Sequence, residues 1–451
     1  MESRVVVTLY EQRKREIVEQ LQNAPGQVTL KKNASNLFRY RPKEHENRLD
    51  AHRLNHVLSI DAKARVAEVE GMTTYETLAA ETLKHGLTPA VVPELKSITV
   101  GGAFSGIGIE TSSFRYGFVH ETFLEIEVLT GDGRVIVASP TQNSGLFYGF
   151  PNTYGTLGYV LKAKLILFPA KRYVKVVRQK YTDTKEFVEE MNRIGAEERN
   201  LVNWDFIEGV IFDENENYLT CAKFTDEAPY VSDYTYMDIY YQSIRTRQED
   251  YLTAFDYFFR YDTDWFWCSK YFWLENRILR RLWGKRNLRS DKYWKLMNWE
   301  CKYQLFARLY ALFGRRTESL IQDAEVPAPQ ACEFIGWFLE HIGMKPFLTA
   351  PVRTYRDDVR FPLSPIEPGL QYVNVGFYAP LPTTKPDGYY NRLIEKKLAG
   401  MKARKLLYSQ CFYTEDEFWE TLDSQTYGRL KQEYDPKERL PDLYEKCVLR
   451  K

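Results

Sequence analysis

The segment SITVGGAFSGIGIETSSFRYG, residues 97–117, constrains the fold of this chain more than any other stretch. Its first half places Gly101, Gly102, Gly106 and Gly108 close together. A glycine inside a regular helix or strand costs roughly 0.5–1 kcal/mol relative to alanine. The cluster therefore predicts either an irregular surface loop or a backbone that must lie against a flat or charged partner.

Two nucleotide-binding motifs can be tested on this loop. The dinucleotide fingerprint G-x-G-x-x-G is incomplete, because Thr111 stands where a third glycine should follow Gly106 and Gly108. The phosphate loop G-x-x-x-x-G-K-[ST] does not occur in the sequence. A run of amides without Cβ atoms can still form an anion-binding concavity for a pyrophosphate. Thr99, Ser112 and Ser113 would add hydroxyl donors; the alternative is a glycine-rich surface loop without a ligand.

Length and composition exclude several classes of protein. The 451 residues allow two or more domains, and 62 basic against 61 acidic residues give no argument for a nucleic-acid partner. Six cysteines without a C-x-x-C pair indicate free thiols in a reducing compartment. The six histidines form no metal-site pattern with cysteines or carboxylates, so we expect no metal. No secretory signal or membrane-spanning segment is visible, so we expect a cytoplasmic protein, either free or peripheral on a membrane surface.

Hydrophobic alternation and turn residues predict mixed α and β structure. A capping box at Thr73–Glu76 predicts a helix that ends at Gly86, and Asp132–Gly133 predicts the turn of a hairpin. Residues 161–167 alternate between apolar and basic side chains, as in a strand with one buried face. Beyond residue 171, further strands are predicted at 333–340 and 371–378, and residues 251–316 are predicted to be mostly helical.

The glycine segment resembles the flavin loop of the FAD-linked oxidoreductases that have a PCMH-type FAD-binding domain, the vanillyl-alcohol-oxidase fold. The stretch VVPELKSITVGGAFSGIGIETSSFRYG is similar to the Δ24-sterol reductase branch of that family, whose pattern reads PEL…TVGG…G.GIE.SS…YG. The matching positions are Pro93, Glu94, Leu95, Thr99 to Gly102, Gly106, Gly108 to Glu110, Ser112, Ser113, Tyr116 and Gly117. Further similar stretches at 146–175, 206–209 and 407–430 extend the resemblance over most of residues 60–451.

The resemblance implies an α+β fold of two domains. Residues 1–170 would form the FAD-binding domain, and residues 171–405 a substrate or cap domain with a basic, aromatic helical insert at 251–316. Residues 406–451 would pack back on the FAD-binding domain. Two departures from the family are visible: eukaryotic members carry an N-terminal membrane anchor that this chain lacks, and much of 230–330, which should touch the substrate, diverges.

The resemblance also implies a flavin cofactor. FAD would bind across the loop, with its pyrophosphate on the glycine backbone and its isoalloxazine ring at the domain interface. The segment KKNASNLFR, residues 31–39, stands where the family places its first FAD-contacting loop, and it lacks the histidine of covalent members. We therefore expect non-covalent FAD, with NADPH considered as the reductant. The expected cofactor-binding residues are Ser35, Asn36, Thr99, Val100, Gly101, Gly102, Gly106, Gly108, Ile109, Glu110, Thr111, Ser112, Ser113 and Gly158.

The chemistry of a flavin site needs an additional acid or base. A flavin transfers hydride, so reduction of a C=C bond requires a proton donor and oxidation of an alcohol requires a base. Our catalytic candidates are Glu208, Arg353 and Tyr408, with Tyr355, Tyr372 and Tyr413 also considered. The leading hypothesis is reduction of a C=C bond in a sterol-like or isoprenoid lipid. The alternatives are a flavin oxidase or dehydrogenase of an alcohol or sugar, and a catalytically inactive flavin-fold protein at membranes.

Residues 270–316 form a basic and aromatic region. They contain thirteen Lys and Arg residues against three acidic ones, interleaved with four tryptophans. Such helices can lie in a membrane interface, held by aromatic rings and anionic lipid. Alternatively, the aromatic side chains form the core of the cap domain and the charges a solvated face. We favour peripheral membrane contact and no nucleic-acid binding; the sequence gives no indication of the oligomeric state.

Overall fold

The computed structural model of the protein describes residues 2–32, 38, 47–303, 308 and 316–450. It confirms an α+β fold in which most strands belong to two antiparallel sheets. The first sheet uses strands up to Pro169, and the second uses strands from Tyr173 onward. The domain boundaries at 170 and 405 stay predictions.

The first sheet has the order β3-β4-β8-β6-β7, with β5 added beside β8. Its strands are β3 Val57–Asp61, β4 Val66–Glu70, β5 Leu87–Pro89, β6 Phe123–Thr130, β7 Val135–Ala138 and β8 Gly158–Pro169. β6 and β7 form the predicted hairpin, in which Gly133 has a φ of 87° that suits the turn. In β8 the odd-numbered residues of 161–167 are buried, as their alternation predicts.

Helices cover both faces of this sheet. They are α1 Glu2–Asn23, α2 Tyr75–Leu83, α3 Val100–Gly106, α4 Ser113–Tyr116 and α5 Ser144–Gly149. α1 precedes a parallel pair of short strands, β1 Thr29–Lys31 and β2 Arg48–Asp50. The N-cap of α2 is Thr74, one residue later than the predicted Thr73; its hydroxyl accepts a hydrogen bond from the Thr77 amide.

Of the two alternatives for the glycine segment, the irregular surface loop is wrong for residues 100–106, and a backbone that lies closely against a flat partner is what the structure shows. Residues 100–106 form helix α3, capped by the Thr99 hydroxyl and ended by Ile107 in the left-handed conformation. The glycines permit close packing instead: a Cβ on Gly101 would lie 2.9 Å from the carbonyl oxygen of Gly71. The helix can therefore lie directly against the first sheet, which outweighs the intrinsic cost of glycine.

The second sheet has the order β12-β9-β11-β10-β14-β15-β13-β16. Its strands are β9 Tyr173–Tyr181, β10 Phe206–Asp213, β11 Glu216–Thr225, β12 Glu249–Thr253, β13 Arg316–Pro327, β14 Phe347–Val352, β15 Tyr372–Thr383 and β16 Arg404–Lys405. β15 confirms the strand expected at 371–378. The strand expected at 333–340 is wrong, because Ala331–His341 form a helix whose apolar side chains follow a helical period.

Helices pack around this second sheet. They are α6 Thr184–Leu201, α7 Tyr240–Ser243, α8 Ala254–Phe258, α9 Arg277–Trp283, α10 Ser290–Tyr303, α11 Ala331–His341 and α12 Tyr389–Gly400. Phe187 of α6 and Phe334 of α11 are fully buried in an apolar core that they share with strands of the sheet. This core keeps β10, β14 and β15 in fixed positions beside the first domain.

The C-terminal residues contact elements around both sheets: Glu417 pairs with Arg392 of α12, and the helix that follows packs on the first domain's side. Helices α13 Glu415–Glu420 and α14 Ser424–Tyr434 are followed by a short π-helix, Glu445–Leu449. The Tyr427 hydroxyl bonds to the Thr156 hydroxyl at 3.0 Å, and Leu430 packs against Gly149. Among the described residues, no helix has the length and apolarity needed to cross a membrane.

Candidate active site

A cleft of about 230 Å³ lies between the two sheets. Residues 93–111 form one wall, and residues of β10, β14 and β15 form the facing wall together with Phe266, Leu406 and Tyr408. Phe38 reaches the same cleft, and its amide bonds to the Tyr408 carbonyl at 2.9 Å. The lining is mostly apolar, and its polar side chains are concentrated in two groups.

The first polar group surrounds Arg260, which is fully buried. Its Nη2 lies 2.6 Å from Oε1 of Glu94, 2.7 Å from Oε2 of Glu208 and 3.3 Å from Oε1 of Glu110. The guanidinium also lies over the ring of Tyr257, 4.4 Å from its centroid. One cation therefore faces three buried carboxyl groups, which cannot all ionise at low cost.

Burial decides the protonation of this group. It raises the pKa of Glu94 well above the ordinary value; Arg260 opposes this, and the neighbouring carboxylates Glu110 and Glu208 add to it. Burial likewise raises the pKa of Glu110, against the effect of Arg260. A carboxylic acid that stays protonated beside a cleft is suited to give up a proton.

The second polar group is centred on Asp323. The Tyr378 hydroxyl donates to Oδ1 of Asp323 at 2.7 Å, and Tyr408 lies against both residues. Burial raises the pKa of Asp323, and the hydroxyls of Tyr378 and Tyr408 partly offset this rise. Behind them, Asn374 donates to Glu325 at 2.8 Å, and burial raises the pKa of Glu325 to about 8. The cleft thus carries a second set of hydrogen-bonding groups.

The backbone of the glycine segment offers fewer free amides than the sequence suggests. The amides of Gly101, Ala103 and Gly108 already donate to protein carbonyls, and that of Gly102 donates to the Thr99 hydroxyl. The expectation of an anion-binding concavity spanning all four glycines is therefore wrong. Gly102 lines the cleft with open space in front of it, because a Cβ at this position would meet no atom closer than 4 Å except in Thr99.

Half of the predicted cofactor-binding residues line the cleft. They are Thr99, Gly102, Gly106, Gly108, Ile109, Glu110 and Thr111. The Thr111 hydroxyl is buried and has no hydrogen-bond partner within the described chain, as expected of a group that awaits a polar ligand. Together with the bare surface of Gly102, this residue makes the wall compatible with a bound FAD.

The structure places five other predicted cofactor-binding residues outside the cleft lining. Val100 and Gly101 pack inward on the first sheet, and a Cβ on Gly158 would lie 2.7 Å from the Leu129 carbonyl oxygen. The Ser112 hydroxyl donates to the Ala90 carbonyl, and the Ser113 hydroxyl accepts from the Glu110 amide. These residues shape the wall of the cleft from behind. The expected contacts at Ser35 and Asn36 lie outside the described residues.

Two of the three catalytic candidates reach the cleft. Glu208 and Tyr408 line it, one in each polar group. Arg353 does not, because its guanidinium pairs with Asp357 at 2.6 Å in a partly exposed loop. The expectation for Arg353 is therefore corrected to a structural role in that loop.

Sequence reasoning missed several cleft residues. Asp323, Asn374 and Tyr378 carry no local motif, nor does Arg260 behind the cleft wall, and Glu94 stood out only as part of the family pattern. The high aromatic content of the chain also hid Tyr378 among its 32 tyrosines. Among the described residues, no His, Cys, Asp and Glu side chains are grouped to hold a metal ion.

Comparison with known proteins agrees with this geometry. Residues 6–139 match the family model described as the FAD binding domain. Delta(24)-sterol reductase of Mus musculus is 26% identical over 414 residues, which is 86% of this chain and 75% of the relative. A Delta(24)-sterol reductase homolog of Caenorhabditis elegans is 25% identical over 447 residues, 90% of this chain and 79% of the relative. Cytokinin dehydrogenase 10 of Oryza sativa subsp. japonica is 31% identical over 160 residues, 36% of this chain and 29% of the relative.

Residues 6–139 thus match an FAD-binding domain of the PCMH type, and the chain is similar to FAD-linked oxidoreductases. Within that class, the chain resembles the Delta(24)-sterol reductases over most of its length. The resemblance found in the glycine segment is thereby confirmed.

Proposed function

We propose that this protein uses non-covalent FAD, with NADPH as reductant, to reduce a C=C bond in a sterol-like or isoprenoid lipid. The observation that carries the proposal is the similarity to Delta(24)-sterol reductases across both sheets. The similarity to cytokinin dehydrogenase covers only 36% of the chain, so it supports the flavin fold and not a shared substrate.

The lining of the cleft supports a lipid substrate. Apolar side chains dominate it, including Pro93, Leu95, Ile98, Phe266, Leu348 and Leu406. FAD would be held by the wall from Thr99 to Thr111, and when bound it supplies two-electron hydride chemistry. The chain's own contribution is to exclude water, orient the alkene between the two polar groups and deliver a proton from one of them.

The test of this function is spectroscopic and then catalytic. We expect the purified protein to be yellow or to become so with added FAD, and its flavin absorbance to bleach when NADPH is added anaerobically. A sterol with a double bond at carbon 24 should then restore the oxidised spectrum, and in D₂O the product should gain deuterium. Protein that cannot be loaded with FAD, or reduced flavin that no alkene reoxidises, would contradict the proposal.

We also propose that a cytoplasmic form of the protein meets its lipid at a membrane surface through the region around α9. Trp273, Ile278 and Leu282 are 66%, 71% and 78% exposed, and Arg281 and Lys285 beside them are exposed as well. Other aromatic residues of 270–316, such as Tyr293, are buried. Part of the region therefore suits membrane contact, and part of it belongs to an aromatic core. An apolar surface flanked by basic side chains suits an anionic bilayer.

The membrane proposal predicts a selective loss of vesicle binding. Ile278→Ser combined with Leu282→Ser should weaken binding to phosphatidylcholine–phosphatidylserine vesicles by roughly tenfold or more, since about 0.8 kcal/mol is lost per buried CH₂. Co-sedimentation measures it. Leu201→Ser with Val202→Ser is the matched control, because these side chains are 60% and 61% exposed on a different helix end. Equal binding by both double variants would contradict the assignment.

A further inference from the structure

We propose that Glu94, rather than Glu208, is the acid that protonates the substrate, that Arg260 positions it, and that Glu110 returns its proton. The proposal rests on the proposed alkene reduction and adds to it the identity of the proton donor. It follows from the contacts of Arg260, whose single positive charge is shared by Glu94, Glu110 and Glu208.

The hydrogen bonds distinguish the three carboxyl groups. Both oxygens of Glu208 have a donor: Oε2 accepts from Arg260 at 2.7 Å, and Oε1 accepts from the Tyr240 hydroxyl at 3.0 Å. Glu110 Oε1 accepts from the Thr111 amide at 2.7 Å and from Arg260 at 3.3 Å. Glu94 contacts the guanidinium at 2.6 Å but has no comparable second donor among the described groups.

Glu94 and Glu110 share one nitrogen of Arg260. Nη2 lies 2.6 Å from Oε1 of Glu94 and 3.3 Å from Oε1 of Glu110, so the two carboxyl groups are close together and ionising both is costly. Glu110 Oε2 is buried and receives no hydrogen bond from any amide, hydroxyl or guanidinium of the described chain. Because Glu110 already accepts from Thr111 and Arg260, the proton belongs on Glu94. Burial, which raises the pKa of Glu94 well above its usual range, acts in the same direction.

Glu94 is also placed where a substrate can reach it. It lines the cleft between Pro93 and Leu95, two of the apolar residues that would contact a lipid. Glu208 is 1% exposed and is held at both oxygens, so it has no oxygen left to approach a substrate. An acid with one side toward the cleft and the other toward a fixed cation meets the geometric requirement for a proton donor.

A second cavity provides a route for the proton to return. Glu110 lines both the cleft and a separate cavity of about 30 Å³, and Arg260 lines the second cavity. Ser112 and Asp205 line that cavity as well, and the Asp205 side chain is 28% exposed. The space is large enough for a water molecule with several polar partners. Protons can therefore pass from solvent through Asp205 and Glu110 to Glu94 without crossing the substrate.

The step balances in atoms and electrons. One alkene carbon receives a hydride from the reduced flavin, and the other receives the proton of Glu94, so that the C=C π bond is replaced by two C–H bonds. Glu94 becomes a carboxylate beside Arg260 and then regains a proton from solvent. A reduced nicotinamide is the two-electron reductant that restores the reduced flavin.

The first test is infrared spectroscopy of the protein without substrate. At neutral pH the difference spectrum between wild type and Glu94→Gln should show the loss of one carbonyl band of a protonated carboxylic acid, and the difference between wild type and Glu208→Gln should show no such loss. Other buried acids such as Glu325 contribute equally to both proteins and cancel in the difference. ¹³C-labelled glutamate identifies the lost band as a glutamic acid. A Glu94→Gln difference spectrum without this loss, or a loss seen only in Glu208→Gln, would overturn the assignment.

The second test separates proton delivery from flavin chemistry. Glu94→Gln should bind FAD and be reduced by NADPH at the wild-type rate, yet form product from a carbon-24 alkene about 10²-fold more slowly. If the wild type turns over and Glu94→Gln matches it, only the donor assignment fails. If the wild type turns over no alkene, the proposed function fails and the donor role fails with it, whatever the infrared band shows.

Discussion

Replacing Arg260 with methionine should destabilise the protein by about 3–5 kcal/mol, the usual effect of removing one partner from a buried ionic group. Methionine fills much of the same volume but leaves Glu94, Glu110 and Glu208 without their shared cation. Burial raises the pKa of Glu94 and of Glu110, and Arg260 opposes this rise. Removing Arg260 must therefore raise both pKa values further. Denaturant unfolding at neutral pH measures the change.

The pH dependence of this defect has a definite sign. A carboxyl group whose pKa is raised in the folded state is stabilising below its unfolded pKa, and this contribution is lost as pH rises. The difference between Arg260→Met and wild type should therefore shrink as pH falls from about 7 toward 5 and the carboxyl groups take up protons. Arg289→Met is the control, because Arg289 forms a half-exposed pair with Glu76 and should cost at most about 1 kcal/mol. If the two substitutions lowered the free energy of unfolding equally, the interaction of Arg260 with its three glutamate neighbours would not be the buried ionic interaction described here.

Gly102→Val should remove bound flavin without unfolding the chain. A Cβ at this position meets only the Thr99 hydroxyl, at 2.8 Å, and the rest of the new side chain would extend into the cleft. Disturbing the Thr99 cap costs about 1 kcal/mol, which a domain of this size tolerates. We expect FAD affinity to fall at least about tenfold, because the added carbons occupy the wall where the cofactor would lie. Flavin absorbance of the purified protein and circular dichroism measure the two properties.

Neighbouring glycines provide the controls for this substitution. Gly428→Val in α14 meets no atom within 4 Å and lies away from the cleft, so its flavin content should equal that of the wild type. Gly101→Val would place a Cβ 2.9 Å from the Gly71 carbonyl oxygen, so it should lower stability as well as flavin content. Normal flavin content in Gly102→Val would contradict the placement of FAD along this wall.

Local sequence patterns predicted much of the fold correctly. The hairpin at Asp132–Gly133, the alternation of residues 161–167 and the strand at 371–378 all depend on neighbours in the chain or on one buried face. The strand predicted at 333–340 is wrong. A short apolar run fits a buried strand and a buried helix equally well, and here it forms a helix. The family pattern correctly indicated a flavin fold, and it placed the cleft wall at residues 99–111.

The catalytic candidates show where local patterns stop being informative. Glu208 and Tyr408 do line the cleft. Arg353 directly follows β14, which contributes to the cleft wall, but its own side chain pairs with Asp357 in a surface loop. Nothing in the composition of the glycine segment indicated that its amides are used within the fold. Whether an amide or a charge is available depends on which distant residue packs against it.

The sequence by itself determined the class of fold, the strands and turns with local signals, and the segment that would meet a flavin. Only the tertiary structure decided that Glu94, Glu110, Glu208 and Arg260 form one charged group. The physical reason is that turns and alternation reflect interactions between neighbouring residues, which a sequence displays directly. The raised pKa values of Glu94 and Glu110 arise from burial and from Coulomb interactions over a few ångströms, and these exist only after segments far apart in the chain have packed together.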